Sequence, residues 1–140
     1  MHANGKYKDV LSLAVGIGRP EALDTVFVKM SGNQLFKVAV HILEKLFDET
    51  LAANRLQKSD VDWLIPHQAN IRIIQAMAKR LDLPMERVAI TLNEQGNTSA
   101  ASIPLALDKE VRAGHVQKGQ LLMLEGFGGG LAWGSALVRY

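Results

Sequence analysis

Residues 61–81 constrain the fold of this chain more than any other stretch. Val61, Trp63, Leu64 and Ile65 belong to a short apolar run, the pattern of a buried strand, and Pro66 ends it. From Asn70 onward the period changes. Ile71, Ile74, Ala78 and Leu81 recur at three- and four-residue steps, which is helical spacing. A buried strand that hands over to an amphipathic helix is a building unit of an α/β sheet. It puts His67 outside the carboxyl end of a strand, where sites form in open α/β sheets. Spacing alone leaves a polar turn residue as the plainer reading of that histidine.

The same alternation runs along the rest of the chain. Residues 10–15 read as a strand, 16–20 as a turn or loop, and 26–28 as a second strand candidate. Ser31-Gly32-Asn33 offers helix-start chemistry, because short polar side chains accept from free backbone N–H groups. Leu35, Ala39, Ile42, Leu43 and Leu46 then share one face, and Lys37, His41, Glu44, Lys45 and Asp48 the other. This predicts an amphipathic helix reaching to about Ala53, with His41 on its wet face. His2, near the terminus, is expected to be solvated. A polar connector over 54–60 leads into the strand at 61–65. The helix from about Asn70 ends before Pro84 and exposes Arg72, Gln75, Lys79 and Arg80. A short strand is expected over 88–92, then a turn at Gln95-Gly96-Asn97, with Thr98-Ser99 capping a helix from Ala100 to about Arg112. The small residues Ala100, Ala101, Ser102 and Ala106 predict that the first half of this helix is buried at a helix–helix crossing. Pro104 is tolerated near its first turn. Residues 120–127 and 131–140 are strand-like and joined by three glycines, an antiparallel hairpin that closes the sheet. The expected architecture is a single three-layer α/β domain over residues 1–140, with a mostly parallel sheet.

Composition excludes several function classes. A chain of 140 residues, 48% hydrophobic and 21% charged, is one globular domain that buries roughly two-thirds of its unfolded surface. No apolar run approaches the ~18 residues of a membrane span, and the start has no signal-peptide pattern. The expectation is a cytoplasmic protein with no membrane partner. A dispersed net charge of +2 does not suggest nucleic acid, although a local basic face could meet an acidic partner. With no cysteine, the chain has no disulfide, no thiolate metal site and no cysteine nucleophile of its own. No second histidine or carboxylate stands at ligand spacing from His67, so no metal is expected.

Two further features bear on chemistry. Gly126-Phe127-Gly128-Gly129-Gly130 is not a dinucleotide loop, since a strand rather than a helix follows it. One reading is a plain flexible hairpin. The other is a backbone that approaches a ligand with its N–H groups free, as an oxyanion site requires. Asn97 likewise reads either as an ordinary Gly-Asn turn or as a neutral donor at a loop–helix junction. Taken together, His67, Asn97 and the glycine loop would supply three kinds of donor to negative charge on a carbonyl oxygen. Each follows a strand or precedes a helix, so all could converge on one end of the sheet.

Three ordered motifs carry a family likeness: Pro66-His67-Gln68-Ala69-Asn70, Gly96-Asn97-Thr98-Ser99-Ala100-Ala101-Ser102, and Glu125 through Gly130 followed by Trp133-Gly134-Ser135-Ala136. From about Ser31 onward the chain resembles β-ketoacyl-[acyl-carrier-protein] synthase III. The pair His67 and Asn97 separates it from the elongating synthases, which use two histidines, and chalcone-synthase-like enzymes match the glycine loop less well. The resemblance implies a thiolase fold of two similar α/β halves, with this chain as the C-terminal half. The nucleophilic cysteine then lies in an N-terminal half that is absent here, so the chain alone is expected to be inactive. The small-residue helix from Ala100 would pack against its counterpart bearing that cysteine.

By the same resemblance, the complete enzyme is an acyltransferase that initiates fatty acid synthesis. It moves an acyl group from coenzyme A to the cysteine and condenses it with malonyl-acyl-carrier protein by decarboxylative Claisen chemistry. His67 and Asn97 are implied as catalytic donors to the malonyl thioester oxygen, and the amide of Gly129 as an oxyanion donor. Phe127 matches the aromatic residue that excludes water, while Gly32, Asn33, Phe36, Ala69 and Asn70 match positions lining the pantetheine tunnel. Lys37, Arg72, Lys79 and Arg80 match the basic face that docks the acidic carrier protein. The family uses no cofactor beyond its coenzyme A thioester substrate, and the complete enzyme is expected to be a homodimer. Because His67 precedes a helix N-terminus, a neutral imidazole donating one N–H is expected. The competing expectations are a non-catalytic half-thiolase module for assembly or acyl-chain binding, and a related synthase of polyketide or secondary metabolism.

Overall fold

The apolar stripe that begins at Leu35 builds the longest element of the fold. In a computed structural model, which describes residues 1–13 and 27–140, helix α1 spans Gly32–Ala53. Leu35, Ala39, Ile42, Leu43 and Leu46 are all buried, as their spacing predicts, together with Val40, Phe47 and Leu51. His41 is exposed. Ser31 stands at the N-cap but makes no side-chain capping bond. The helix is held by packing: Phe47 is fully buried, and burying such a side chain contributes roughly 1.5–3 kcal/mol.

Among the described residues, the strands form two sheets. β1 (His2–Ala3) pairs with β6 (Ala132–Arg139), β6 with β5 (Leu121–Gly128), and β5 with β4 (Trp63–Pro66), in the order β1-β6-β5-β4. β2 (Leu11–Leu13) and β3 (Val28–Met30) form a separate antiparallel pair. β5 and β6 are the expected antiparallel hairpin, with Leu124 opposite Ala136. β4 runs parallel to β5, with Trp63 opposite Leu122 and Pro66 opposite Glu125. Of the strand expected over 10–15, only Leu11–Leu13 lies within the described residues as strand, and the turn at 16–20 falls outside them. Of the second candidate, Val28 lies in a strand and Phe27 does not, while Val26 falls outside the described residues.

Two layers of helix cover the larger sheet. α1 and α2 (Ile71–Leu81) pack on one face in a core that includes Leu64, Ile74, Met123 and Leu131. α4 (Ser102–Arg112) lies on the other face, where its Ala106 packs in a cluster with Ile65, Ala89 and Leu122. The result is a three-layer α/β arrangement whose larger sheet is mixed rather than mostly parallel, since among the described strands only β4 and β5 pair parallel. α2 is capped by Asn70, whose side chain accepts from the Arg72 N–H at 2.8 Å. No helix among the described residues is long and apolar enough to cross a membrane.

Three local expectations are corrected. Residues 88–92 do not form a strand. Val88 makes one parallel bridge to Leu64, and a short helix α3 occupies Leu92–Gln95. The buried amide of Gln68 takes the place of a further strand there: Nε2 donates to Ala89 O at 3.0 Å, and Oε1 accepts from Thr91 N at 3.0 Å. Thr98 and Ser99 do not cap the following helix by side-chain bonds. Residues Ser99–Ala101 form a 3-10 turn, and Asn97 Oδ1 accepts from Ser99 N at 2.9 Å. The first half of the small-residue helix is not buried in this chain. Ala100, Ala101, Pro104 and Leu105 are exposed, while Ser102 and Ala106 face the sheet. His2 is exposed, as expected. It sits 3.0 Å from Glu49 and stacks on Trp133, on the edge strand that its own short segment extends.

Candidate active site

A cavity of about 1130 Å³ opens beyond the carboxyl ends of β4 and β5. The topology accounts for its position. β4 and β5 run parallel, so the loop after each emerges at the same end of the sheet, as open α/β folds require. His67 leaves β4, residues 128–130 leave β5, and Asn97 enters from the segment before α4. Among the residues predicted for a site, His67, Asn97, Phe127, Gly129, Gly32, Asn33, Phe36, Ala69, Asn70 and Arg72 all line this cavity. Lys37, Lys79 and Arg80 do not. They are exposed on α1 and α2, and Arg80 is already ion-paired with Glu44. Arg72 lies over the Phe36 ring, 5.5 Å from its centroid, so its guanidinium is braced by the cavity wall.

His67 is the most constrained residue of the group. Its backbone N–H donates to Glu125 O at 2.7 Å, which ties the loop to β5. The ring meets Phe127 edge to face, with centroids 5.7 Å apart and planes at 75°. Nδ1 lies 2.6 Å from Ser102 Oγ. A Cβ at Gly126 would sit 3.3 Å from Ile103 Cδ1 and in ordinary contact with His67 Cβ at 3.7 Å. Burial holds the imidazole below its ordinary value of 6.5. The direction is the one expected, but desolvation rather than the helix end is the cause.

Asn97 presents one end only. Its Oδ1 is committed to the Ser99 N–H, so its Nδ2 remains as a donor at the cavity. Gly96 before it has φ of +67°, a left-handed backbone that L side chains rarely adopt. The Gly-Asn turn thus leaves Nδ2 available, so the turn and the donor reading are compatible.

Sequence reasoning missed Ser102 and Gln68. Ser102 read only as a small helix residue, yet it is fully buried, with Oγ between His67 Nδ1 and the Gln68 N–H at 3.2 Å. Gln68 is also fully buried, and its side chain spans Pro66, Ala89 and Thr91. Both stand inside the motifs of the family likeness, but neither residue type nor spacing marked them for a role.

Glu125 adjoins the site on the α1 side of the sheet. It is 1% exposed, and neither carboxylate oxygen has a hydrogen-bond partner among the described residues. Burial first, and then the negative charge of Asp48, push its carboxyl well above the ordinary 4.5. The folded state thus keeps this proton to higher pH than the unfolded state does. Its contribution to stability is complete below the unfolded pKa and is lost as pH rises through the folded pKa. Glu125→Gln keeps the shape without the ionisation, and is expected to flatten that loss. Denaturant melts at about pH 5 and about pH 8 check this; identical changes between the two pH values for both proteins would contradict it.

Comparison with known proteins places this geometry in a family. The family profile described as 3-oxoacyl-[acyl-carrier-protein (ACP)] synthase III C terminal matches residues 51–140, which include β4, His67, Asn97 and the whole hairpin. The chain belongs to this family. It is 56% identical over 143 aligned positions to a β-ketoacyl-[acyl-carrier-protein] synthase III of Alkalilimnicola ehrlichii, covering 100% of this chain and 44% of that relative. Among solved structures, it is similar to the 3-oxoacyl-(acyl carrier protein) synthase III of Pseudomonas aeruginosa PAO1. That match has 39% identity and a TM-score of 0.90 over 99% of this chain and 42% of the other. The synthase III of Aquifex aeolicus VF5 has 39% identity and a TM-score of 0.89, with the same coverage. The fold is therefore that of a thiolase-like condensing enzyme. The chain spans less than half the length of the relatives it matches.

Proposed function

We propose that this chain is the C-terminal catalytic half of a β-ketoacyl-[acyl-carrier-protein] synthase III, an acyltransferase that initiates fatty acid synthesis. One observation supports the reading: His67, Asn97 and the glycine loop line a single cavity at the end of the sheet. Assembly or chain binding alone would not require that group. The complete enzyme joins this chain's sequence to a cysteine-bearing N-terminal half.

Its reaction has two stages. The cysteine thiolate attacks the acyl-coenzyme A carbonyl, the C–S bond to coenzyme A breaks, and the thiol of coenzyme A leaves with a proton. Malonyl-acyl-carrier protein then loses CO₂, and the electron pair of the broken C–C bond moves toward its thioester oxygen. His67 and Asn97 donate hydrogen bonds to that oxygen as it becomes an enolate. The carbanion attacks the acyl-enzyme carbonyl, and the cysteine thiolate departs. The amide of Gly129 holds the tetrahedral oxyanion, and Phe127, set against the His67 ring, screens the site from water. Donors fixed in advance at developing charge need no reorganisation during the reaction, which is why such positions matter.

Substrate binding follows the same wall. Gly32, Asn33, Phe36, Ala69 and Asn70 line the part of the cavity assigned to pantetheine. Docking of the acidic carrier protein falls mainly on Arg72, because it alone of the four cations stands at the cavity, and Arg80 is engaged by Glu44. Lys37 and Lys79 extend the positive face. A cytoplasmic location and a homodimeric complete enzyme belong to the same reading and rest on resemblance.

The test is reconstitution. This chain, supplied with a cysteine-bearing half, acyl-coenzyme A and malonyl-carrier protein, is expected to give a β-ketoacyl-carrier protein; its absence with both halves folded would refute the proposal. Arg72→Glu in the complete enzyme is expected to weaken carrier-protein substrates far more than free acyl-coenzyme A, and more so at low salt. Measured kcat/KM values that fall equally for both substrates would assign Arg72 to the fold or the pantetheine site.

A further inference from the structure

The hydrogen bonds around Ser102 decide where His67 carries its proton. Ser102 is fully buried, and its hydroxyl offers one O–H and two lone pairs. The backbone N–H of Gln68, 3.2 Å away, can only donate, so it occupies one lone pair. The contact with His67 Nδ1 at 2.6 Å then has two directions. If Nδ1–H donated to Oγ, the serine hydrogen would be left without an acceptor, since among the described residues Oγ has no third partner. A buried donor with no acceptor is the costly arrangement. If instead the hydroxyl donates to Nδ1, every group at this point is satisfied.

We infer that Ser102 is a positioning residue: its hydroxyl donates to His67 Nδ1 and so fixes the ring proton on Nε2, the nitrogen left for the cavity. Gln68 sets this arrangement one step further out. Its side chain binds Pro66 O at 2.8 Å, Ala89 O at 3.0 Å and the Thr91 N–H at 3.0 Å, which holds rigid the peptide whose N–H fills one side of Ser102. The consequence is chemical. With its proton on Nε2, His67 offers a donor to an oxygen gaining negative charge. The other tautomer would turn a lone pair toward that oxygen. A second proton on Nδ1 would evict the serine hydrogen from its acceptor, so the same contact opposes the imidazolium form, in line with the downward shift caused by burial.

The tautomer concerns this chain's own hydrogen bonds, whereas its catalytic value rests on the proposed condensing function. The experiment separates the two. The complete enzyme is labelled with ¹⁵N-histidine, and the His67 signals are assigned by their loss in His67→Ala. The expected spectrum has a protonated, pyrrole-type Nε2 and a pyridine-type Nδ1. Ser102→Ala should convert these to averaged shifts, and Ser102→Thr, which keeps the hydroxyl, should restore them. CO₂ release from malonyl-carrier protein, measured in parallel, should fall about 10- to 100-fold in Ser102→Ala, the range for lost partners that orient metal-bound histidines. A wild-type spectrum with the proton on Nδ1 overturns the inference, even if the alanine variant fails to fold. So does an unchanged tautomer in a folded Ser102→Ala. A correct tautomer in a folded enzyme that releases no CO₂ overturns the proposed function and leaves the assignment of Ser102 standing.

Discussion

Replacing Asn97 or His67 by alanine in the complete enzyme is expected to slow ketoacyl formation by about 10²- to 10³-fold, or roughly 3–4 kcal/mol of transition-state stabilisation. The effect is large because the charge is local. During decarboxylation, one oxygen gains the electrons of a breaking C–C bond, and two side chains are assigned to it. Asn97 has its own oxygen tied to the Ser99 N–H, so Nδ2 stands ready without reorganisation. The N-terminal half would cover the face on which Asn97 is exposed in this chain, and excluding water strengthens each remaining donor. His67→Ala should cost at least as much as Asn97→Ala. It removes a donor, empties the space against Phe127 and takes from the Ser102 hydroxyl its contact with Nδ1, leaving only the Gln68 N–H. Steady-state product formation measured by mass spectrometry checks both. Losses under about 10-fold would place neither side chain on the reacting oxygen.

This chain by itself should give no condensation product, and it should self-associate. The first claim rests on electron flow: without a cysteine there is no thiolate to accept the acyl group, however well the enolate is stabilised. The second rests on surface. Ala100, Ala101, Pro104 and Leu105 form an exposed apolar face on the N-terminal part of α4, and Val28 and Met30 are also largely exposed. Contiguous patches of this kind drive association unless a partner covers them. Sedimentation velocity of the chain alone should therefore reveal concentration-dependent oligomers, which the cysteine-bearing half should dissolve into a defined complex. A monodisperse monomer at high concentration would mean that the face does not seek a partner. Turnover by the chain alone would refute the argument about the nucleophile.

What could be read from the sequence depended on whether a signal was local. The change of period between Ile65 and Ile71 placed β4, α2 and the histidine between them, because a strand and a helix each leave a periodicity that needs no distant partner. The stripe from Leu35 to Leu46 placed α1 on the same grounds. The strand expected at 88–92 failed for a non-local reason. The edge beyond β4 is occupied by the Gln68 amide, and nothing near Val88 encodes that. β1 was missed because two residues carry no period; it exists only where β6 offers an edge. The face of α4 was read as buried because small residues do favour close packing, but no element among the described residues packs on Ala100, Ala101, Pro104 and Leu105, and the proposed partner is the N-terminal half. Of the site, the donors were legible from residue type and position. Ser102 and Gln68 were not, since their importance lies in hydrogen bonds to residues 34 or more and 21 or more positions away.

The most direct test of the account compares two steps in one variant. In Asn97→Ala of the complete enzyme, labelled acyl-enzyme formation from acyl-coenzyme A is measured beside CO₂ release from malonyl-carrier protein. In the proposed mechanism, acyl transfer develops its charge over the Gly129 amide, and decarboxylation develops its charge at the thioester oxygen assigned to His67 and Asn97. The expected result is substantial acylation, with CO₂ release slowed by about 10²- to 10³-fold. A variant that cannot be acylated yet releases CO₂ at the normal rate would contradict the role assigned to Asn97, and with it the placement of the decarboxylation apparatus in this chain.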